Sequence, residues 1–326
     1  MRQETSAATE RAASRQSVID DAWNIVLAAA RSAEGAAHVN QAAAFALDDD
    51  AQLQPAGEED PGAAIAWRPG TGWELVLPAD DPRHALIDLY LPICSATSTT
   101  PITVGHLGQS LDGFIATQAG DSQFVTGPEN ILHLHRLRAL SDAVVVGAGT
   151  VAADDPLLTT RQVSGPNPLR VVFDPGRRLD THYRIFSDAE TPTLYACGDV
   201  HLREGESRFG AADILPLACV GDTSPVAQLL AALRARGCHR VFVEGGGVTV
   251  SAFLEAGLLD RLQMAVAPLI VGSGRPAIRL EPKDLLSDCQ RPAYRVFRMG
   301  GDVLFDCDLT GPTRTLPPDG GIERVI

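Results

Sequence analysis

Aromatic residues are scarce in this chain, 5% of 326 positions, and basic residues are outnumbered, with 27 Lys and Arg against 41 Asp and Glu. The resulting formal charge of −14 argues against a general nucleic-acid surface or an anionic-membrane surface. Any phosphate must instead be met by a local group of arginines and backbone N–H donors. The six cysteines (Cys94, Cys197, Cys219, Cys238, Cys289 and Cys307) form no CxxC pair, and the eight histidines no HxxxH or HxE spacing. Structural zinc is therefore not expected, and reduced, buried thiols are. No apolar run approaches the roughly 18 residues of a spanning helix. The opening residues, Met1-Arg2-Gln3-Glu4-Thr5, are polar and do not read as a secretory signal. A soluble, cytoplasmic protein without metal is expected. What the chain has in quantity is apolar residues, 45%, enough for a full core.

Residues 1–15 read as a disordered tail, and 16–94 as a small α+β region of unknown role. In that region Val18, Ile19, Trp23, Val26, Leu27 and Ala30 recur at helical spacing over 16–32. Residues 48–62, acidic and holding Pro55 and Pro61, read as a loop. Apolar runs at 64–67 and 73–77 flank Pro69-Gly70-Thr71-Gly72 as a hairpin, and a short helix is expected over 82–91. Residues 95–101 have linker composition. From Ile102 to about 310, strand patterns (102–107, 143–147, 169–174, 193–197, 240–244, 262–266, 294–298, 302–308) alternate with helix patterns (128–140, 224–236, 248–257). Such alternation predicts a sheet with helices on its faces. The last strands lack intervening helices, so part of that sheet is expected to be antiparallel. Thr126-Gly127-Pro128-Glu129 has capping-box spacing with proline in the first turn. Residues 311–326 read as a C-terminal tail.

Chemistry concentrates in short strings that follow apolar runs: Ser110-Leu111-Asp112-Gly113, Gly147-Ala148-Gly149-Thr150, Ala153-Asp154-Asp155-Pro156 and Glu244-Gly245-Gly246-Gly247. Glycine turns leaving strand ends hold phosphates and dinucleotides in α/β proteins. Gly147–Ala152 fits the GxGxxA dinucleotide fingerprint, and Asp174 lies 25 residues after Gly149. Pro156, seven residues after Gly149, leaves too little helix for that crossover, so a Rossmann domain is not expected.

Arg138 falls between Ile131 and Leu134 on the apolar face of helix 128–140. A buried arginine needs an anion, either a structural carboxylate or a substrate phosphate. Thr150 has two readings, cofactor donor or turn cap. Asp154 and Asp155, being adjacent, point to opposite sides if extended, one toward a site and one toward structure. Asp112 is catalytic or caps the turn at Gly113. His133 and His135 face different ways on one helix, against a metal site.

Taken with Leu137-Arg138-Ala139 and Asn167-Pro168-Leu169-Arg170-Val171-Val172, these strings in this order resemble the reductase domain of the bacterial bifunctional riboflavin-biosynthesis deaminase/reductase. The resemblance covers roughly residues 102–310. It implies a dihydrofolate-reductase-like α/β fold, a mixed but mostly parallel sheet flanked by helices. It also implies NADPH as cofactor, a phosphorylated pyrimidine as substrate and a homodimer. Residues matched to cofactor binding are Gly108, Phe124, Thr150 and Asp154, then Gly246, Gly247, Val248, Thr249 and Val250. Residues matched to substrate binding are Ser122, Arg138, Leu158, Arg161 and Glu244, with Arg138 and Arg161 on the ribose phosphate. Asp154 is the implied catalytic residue. The deaminase half of that family needs His-x-Glu and Pro-Cys-x-x-Cys, and the first 100 residues contain neither, so no deaminase domain is expected. Three positions depart from the family pattern: Phe114 replaces a common Lys or Arg, Phe124 a common Trp, and Gly108-Gln109 a frequent Ala-Met. Alternatives are a related reductase of another pyrimidine or pteridine, and a non-catalytic nucleotide-binding regulatory module.

Overall fold

The computed structural model describes residues 2–57, 59–221 and 223–311, with side chains from residue 13 onward. The chain forms two compact units, Met1–Pro101 and Ile102–Ile326. The segment read as a C-terminal tail lies, after Gly311, outside the described residues.

The first unit comprises α1 (Arg2–Val39), β1 (Ala43–Leu47), β2 (Leu53–Ala56), β3 (Ile65–Arg68), β4 (Gly72–Leu75) and α2 (His84–Cys94). Its strands form an antiparallel sheet in the order β2-β1-β3-β4. α1 begins at Arg2, so the backbone of 2–15 is helical where a disordered tail was expected. That stretch has no Pro or Gly and is rich in Ala, Glu, Gln and Arg, so nothing in it stops the helix. β2 arises inside the expected acidic loop, and its Pro55 is tolerable because β2 is an edge strand. All three tryptophans of the chain sit here. Trp67 and Trp73 face each other across the hairpin with ring centroids 5.1 Å apart, and the Trp73 indole N–H donates to the Ala29 carbonyl at 3.0 Å.

The second unit starts with β5 (Ile102–Ser110) and β6 (Phe114–Thr117), then α3 (Pro128–Leu140), β7 (Ala143–Gly147), α4 (Ala148–Asp154) and β8 (Leu169–Phe173). It continues through α5 (Arg184–Ser187), β9 (Thr193–Gly198), β10 (Arg208–Phe209), β11 (Ala212–Leu217), α6 (Pro225–Ala235), β12 (Arg240–Glu244) and α7 (Gly247–Glu255). β13 (Arg261–Ala267), β14 (Gly274–Pro276), β15 (Ala293–Met299) and β16 (Asp302–Asp308) complete it. Ten strands form one sheet in the order β10-β11-β9-β8-β7-β12-β5-β13-β16-β15, and β14 pairs with β6 apart from it. The strands from β11 to β13 are parallel, while β10, β16 and β15 join antiparallel. The mixed, mostly parallel sheet with helices on its faces is thus the one observed.

The order fixes where a ligand can sit. From β7 the chain moves outward through β8, β9 and β11, then returns to insert β12 between β7 and β5. The carboxyl ends of β5, β12 and β7 therefore bracket the topological switch point, where open α/β sheets bind ligands. Residues 143–146 of β7 are fully buried, as a strand covered on both faces requires.

α3 departs from expectation in two ways. Its N-cap is Gly127 with no side-chain cap bond, because the Thr126 hydroxyl accepts from Asn130 Nδ2 (2.9 Å) and the Gly127 N–H donates to Asp302 (2.7 Å). Its buried face is also polar: Asn130, His133, His135 and Arg138 lie buried beside Leu137, whereas Ile131 is exposed.

Candidate active site

The polar face of α3 lies against a row of polar residues crossing the sheet. Glu244 on β12 stands opposite His106 on β5, and His106 opposite Gln263 on β13. Gln263 stands opposite Asp306 on β16, and Asp306 opposite Arg295 on β15. Directly opposite residues share a sheet face, so five adjacent strands place polar side chains in one line. The buried members are bonded. His106 Nε2–H donates to Asn130 Oδ1 (3.0 Å) and His133 Nε2–H to Gln263 Oε1 (2.9 Å). Gln263 Nε2 donates to Asp306 (3.1 Å), which also accepts from Arg261 and Arg295. Burial holds His106 neutral, its pKa lowered to about 4, and pushes His133 down as well, with His106 adding to the effect. No sequence pattern flagged this row, since its members are spread over five strands and only their registers align them.

Glu244 ends the row at the switch point, where it meets Arg138. The guanidinium Nε–H donates to one carboxylate oxygen at 2.7 Å and Nη2 donates to the other. Burial opposes the charge on Arg138, but Glu244 outweighs it and raises the arginine's pKa. The third donor, Nη1, reaches the Thr159 carbonyl at 3.1 Å. Of the two sources of negative charge open to Arg138, the carboxylate is thus present, and it comes from a residue itself matched to substrate binding.

Arg161 is placed differently. Its side chain is exposed, and its guanidinium donates to Thr159 Oγ1 at 2.8 Å without an acidic partner among the described residues. Burial, then Arg138 and Arg184, lower its pKa. A guanidinium that is desolvated in part and crowded by other cations is set to receive an anion.

Beyond Glu244 the chain turns through Gly245 and Gly246, at φ +73° and +74°, into α7. The two glycine turns interlock. A Cβ on Gly246 would stand 2.8 Å from Thr150 Oγ1, and one on Gly147 would stand 2.1 Å from Thr249 Oγ1. Both strand ends thus come together as bare backbone, a cradle in which side chains would occupy the space a dinucleotide phosphate needs. Thr150 is half-buried and Val248 exposed at its rim. Asp154 closes α4. Burial raises its carboxyl pKa, and the nearby Ser122 draws it partly back. Phe124, two residues after Ser122, is exposed at φ +61°. Gly108, near the end of β5, lets Thr126 approach, its methyl 2.8 Å from where a Cβ would be.

Other matched positions face inward. Thr249 and Val250 are buried, Thr249 against Gly147 and Val250 beside Gly105, so any contact they make outward is through backbone. Leu158 is buried in a left-handed conformation (φ +55°). Gly247 is buried with no room for a side chain, the Ala277 carbonyl lying 2.3 Å from a Cβ there.

The acids with two readings resolve toward structure. Asp112 accepts from the Ser110 hydroxyl (2.6 Å) and from the backbone of Val271 and Gly272, which lowers its pKa to about 2. Asp155 holds Arg184, and Asp174 is fully buried beneath the Tyr195 hydroxyl (2.8 Å). Among the described residues no group of acidic, histidine or cysteine side chains could hold a metal ion, and no helix is long and apolar enough to cross a membrane.

The profile of the RibD C-terminal domain matches residues 103–292. The chain belongs to this family. It is 34% identical over 221 residues to the 2,5-diamino-6-ribosylamino-4(3H)-pyrimidinone 5′-phosphate reductase of Methanothermobacter thermautotrophicus, covering 65% of this chain and 99% of that one. It is 30% identical over 209 residues to the riboflavin biosynthesis protein RibD of Aquifex aeolicus, covering 64% of this chain and 58% of that one. Among solved structures, the diaminohydroxyphosphoribosylaminopyrimidine deaminase/5-amino-6-(5-phosphoribosylamino)uracil reductase of Thermotoga maritima has a TM-score of 0.56 at 25% identity. That match covers 69% of this chain and 61% of the bifunctional protein, less than two thirds of its length. As a member of the RibD C-terminal domain family, the chain is an oxidoreductase of the reductase type. The residues matched to cofactor and substrate fall inside the matched segment, whereas Arg295 and Asp306 of the polar row and residues 1–102 fall outside it.

Proposed function

We propose that this chain reduces a ribosylamino pyrimidine 5′-phosphate to its ribitylamino form with NADPH, the reductase step of riboflavin biosynthesis. The observation that carries the reading is the position of Glu244. It ends β12, is bonded to Arg138 with Arg161 nearby, and leads directly into the glycine turn that interlocks with Gly147 and Thr150. An anion-binding group and a backbone cradle for a dinucleotide are therefore chain neighbours at one switch point.

The residues fit the cofactor. The bare backbone at Gly147 and Gly246 and the exposed Val248 would hold it. A hollow of about 220 Å³ at the carboxyl ends of β9 and β11, lined by Gly198, Leu217, Cys219 and Ser224, offers its far end a place. That hollow is three to four strand spacings from β12, about 14–19 Å along the same edge. When bound, NADPH supplies the hydride that C1′ of the opened ribose accepts. The protein's part is positioning. Arg161 receives the substrate phosphate. Glu244, its geometry fixed by two bonds from Arg138, accepts from donors on the ribose or base. Asp154 and Ser122 order the ribose hydroxyls near the hydride path.

The test is NADPH oxidation, followed by absorbance, with the 2,5-diamino-pyrimidinone and the 5-amino-uracil ribosylamino phosphates in parallel. Turnover of either, abolished in Arg161→Ala, supports the reading. Absence of turnover with both, while NADPH still binds, would sink it.

A further inference from the structure

The segment between α4 and β8 carries Arg161 yet has no regular structure from Asp155 to Arg161. A few side chains hold it in place. Arg170 Nη1 donates to the Leu157 carbonyl (3.3 Å), and Arg138 Nη1 to the Thr159 carbonyl (3.1 Å). Asn167 Oδ1 accepts the Thr160 N–H (2.7 Å), and His135 Nδ1 accepts the Arg161 N–H (3.0 Å). The last of these acts on the residue whose guanidinium has no acidic partner among the described residues.

His135 is well placed for that role. It is 2% exposed, so its ring has few other positions to adopt, and it precedes Arg138 by three residues on one helix. α3 thus reaches both arginines, Arg138 as its own side chain and Arg161 through the imidazole. A neutral ring with Nδ1 unprotonated is required, because an imidazolium donates at both nitrogens. Burial, then the charges of Arg138 and Arg161, lower the His135 pKa to about 4, with the Thr159 backbone opposing. The lone pair is therefore kept available at neutral pH.

We propose that His135 is a positioning residue for anion recognition: by accepting the Arg161 backbone N–H at Nδ1, it sets where the Arg161 guanidinium stands relative to Arg138. The inference rests on the reading in which Arg161 receives the substrate phosphate. It makes the spacing of the two cations a property of α3 rather than of a mobile side chain, so the fork is built before substrate arrives.

The test compares His135→Leu, His135→Asn and Arg161→Ala, using the phosphorylated substrate and inorganic phosphate as competing anion. His135→Leu fills the space without an acceptor. KM is expected to rise about tenfold, the worth of one such bond, with kcat within about threefold and inhibition by inorganic phosphate weakened in parallel. His135→Asn, whose Oδ1 can replace Nδ1, is expected to restore both. If Arg161→Ala weakens both readouts and His135→Leu neither, the positioning role fails while the phosphate anchor stands. If Arg161→Ala changes neither, the anchor fails and the inference falls with it. An Asn variant no better than Leu would assign the effect to ring shape and overturn the proposal. Nitrogen NMR of the wild-type histidine is independent of any variant's folding: the Nε2–H tautomer is expected, and Nδ1–H would overturn the inference.

Discussion

Arg138 and Glu244, 106 residues apart, close a two-pronged ion pair whose side chains are only 8% and 12% exposed. α3 supplies one partner and the end of β12 the other, so the pair ties a helix to the switch point of the sheet. Removing one partner of a nearly buried pair strands the other charge at a cost of about 3–5 kcal/mol, whereas replacing both by apolar groups can be neutral. Arg138→Ala and Glu244→Ala are therefore expected to lower the urea-unfolding free energy by about that much. The double variant Arg138→Met/Glu244→Leu should recover most of the stability and none of the turnover. Turnover in that double variant would show that the pair is structural alone.

Gly246 has no room for a side chain and lies at φ +74°. Gly246→Ala places a methyl 2.8 Å from the Thr150 hydroxyl in a conformation that costs an L-residue about 1 kcal/mol or more. NADPH affinity, read by fluorescence titration, is expected to fall about tenfold or more, with only a modest loss of melting temperature. Unchanged affinity would mean that the interlocked turns do not hold the cofactor.

Much of this was legible in the sequence, because glycine turns after apolar runs carry their conformation locally. Gly246 and Gly147 were found from their strings alone. Arg138 was found because a charge on an apolar period needs a partner, although the period itself misled. Ile131 is exposed, and the buried face of α3 includes Asn130, His133, His135 and Arg138. That face is polar because it meets His106, Gln263 and the Glu244 carboxylate, and their alignment depends on registers between β5, β12 and β13. Register is a long-range property that no single strand's pattern encodes. β11 was missed for a local reason: Asp213 and Pro216 interrupt an apolar run that the structure nonetheless pairs with β9. The helical backbone of 2–15 was missed because a polar composition reads equally as a tail.

The buried histidines give the fold an acid limit. His106 is neutral in the fold down to about pH 4, while in the unfolded chain it takes a proton near the ordinary histidine value of 6.5. Between those values the unfolded state binds the extra proton, so stability falls as pH falls through the window, by about 1.4 kcal/mol per unit for each such group. His135, also lowered to about 4, acts in the same sense. His106→Gln should reduce the pH slope of the unfolding free energy by up to one proton within this window. An unchanged slope in urea titrations between pH 6.5 and 4 would show that His106 is already charged in the fold.

Asp154 and Ser122 make the last prediction, and its sign follows from the direction in which each shifts the carboxyl. The carboxyl pKa is raised because burial disfavours the charge, and the nearby Ser122 lowers it in part. If the ionised carboxylate orders the ribose, kcat/KM should climb with pH through the raised pKa and then level. Ser122→Ala removes the group that favours ionisation, so the acid limb should move to higher pH while the plateau is reached later. Asp154→Asn should abolish the limb and lower turnover by about 10²-fold, the scale of a substrate held out of position. A limb that survives in Asp154→Asn belongs to another group. One that moves to lower pH in Ser122→Ala would mean that the serine favours the protonated acid.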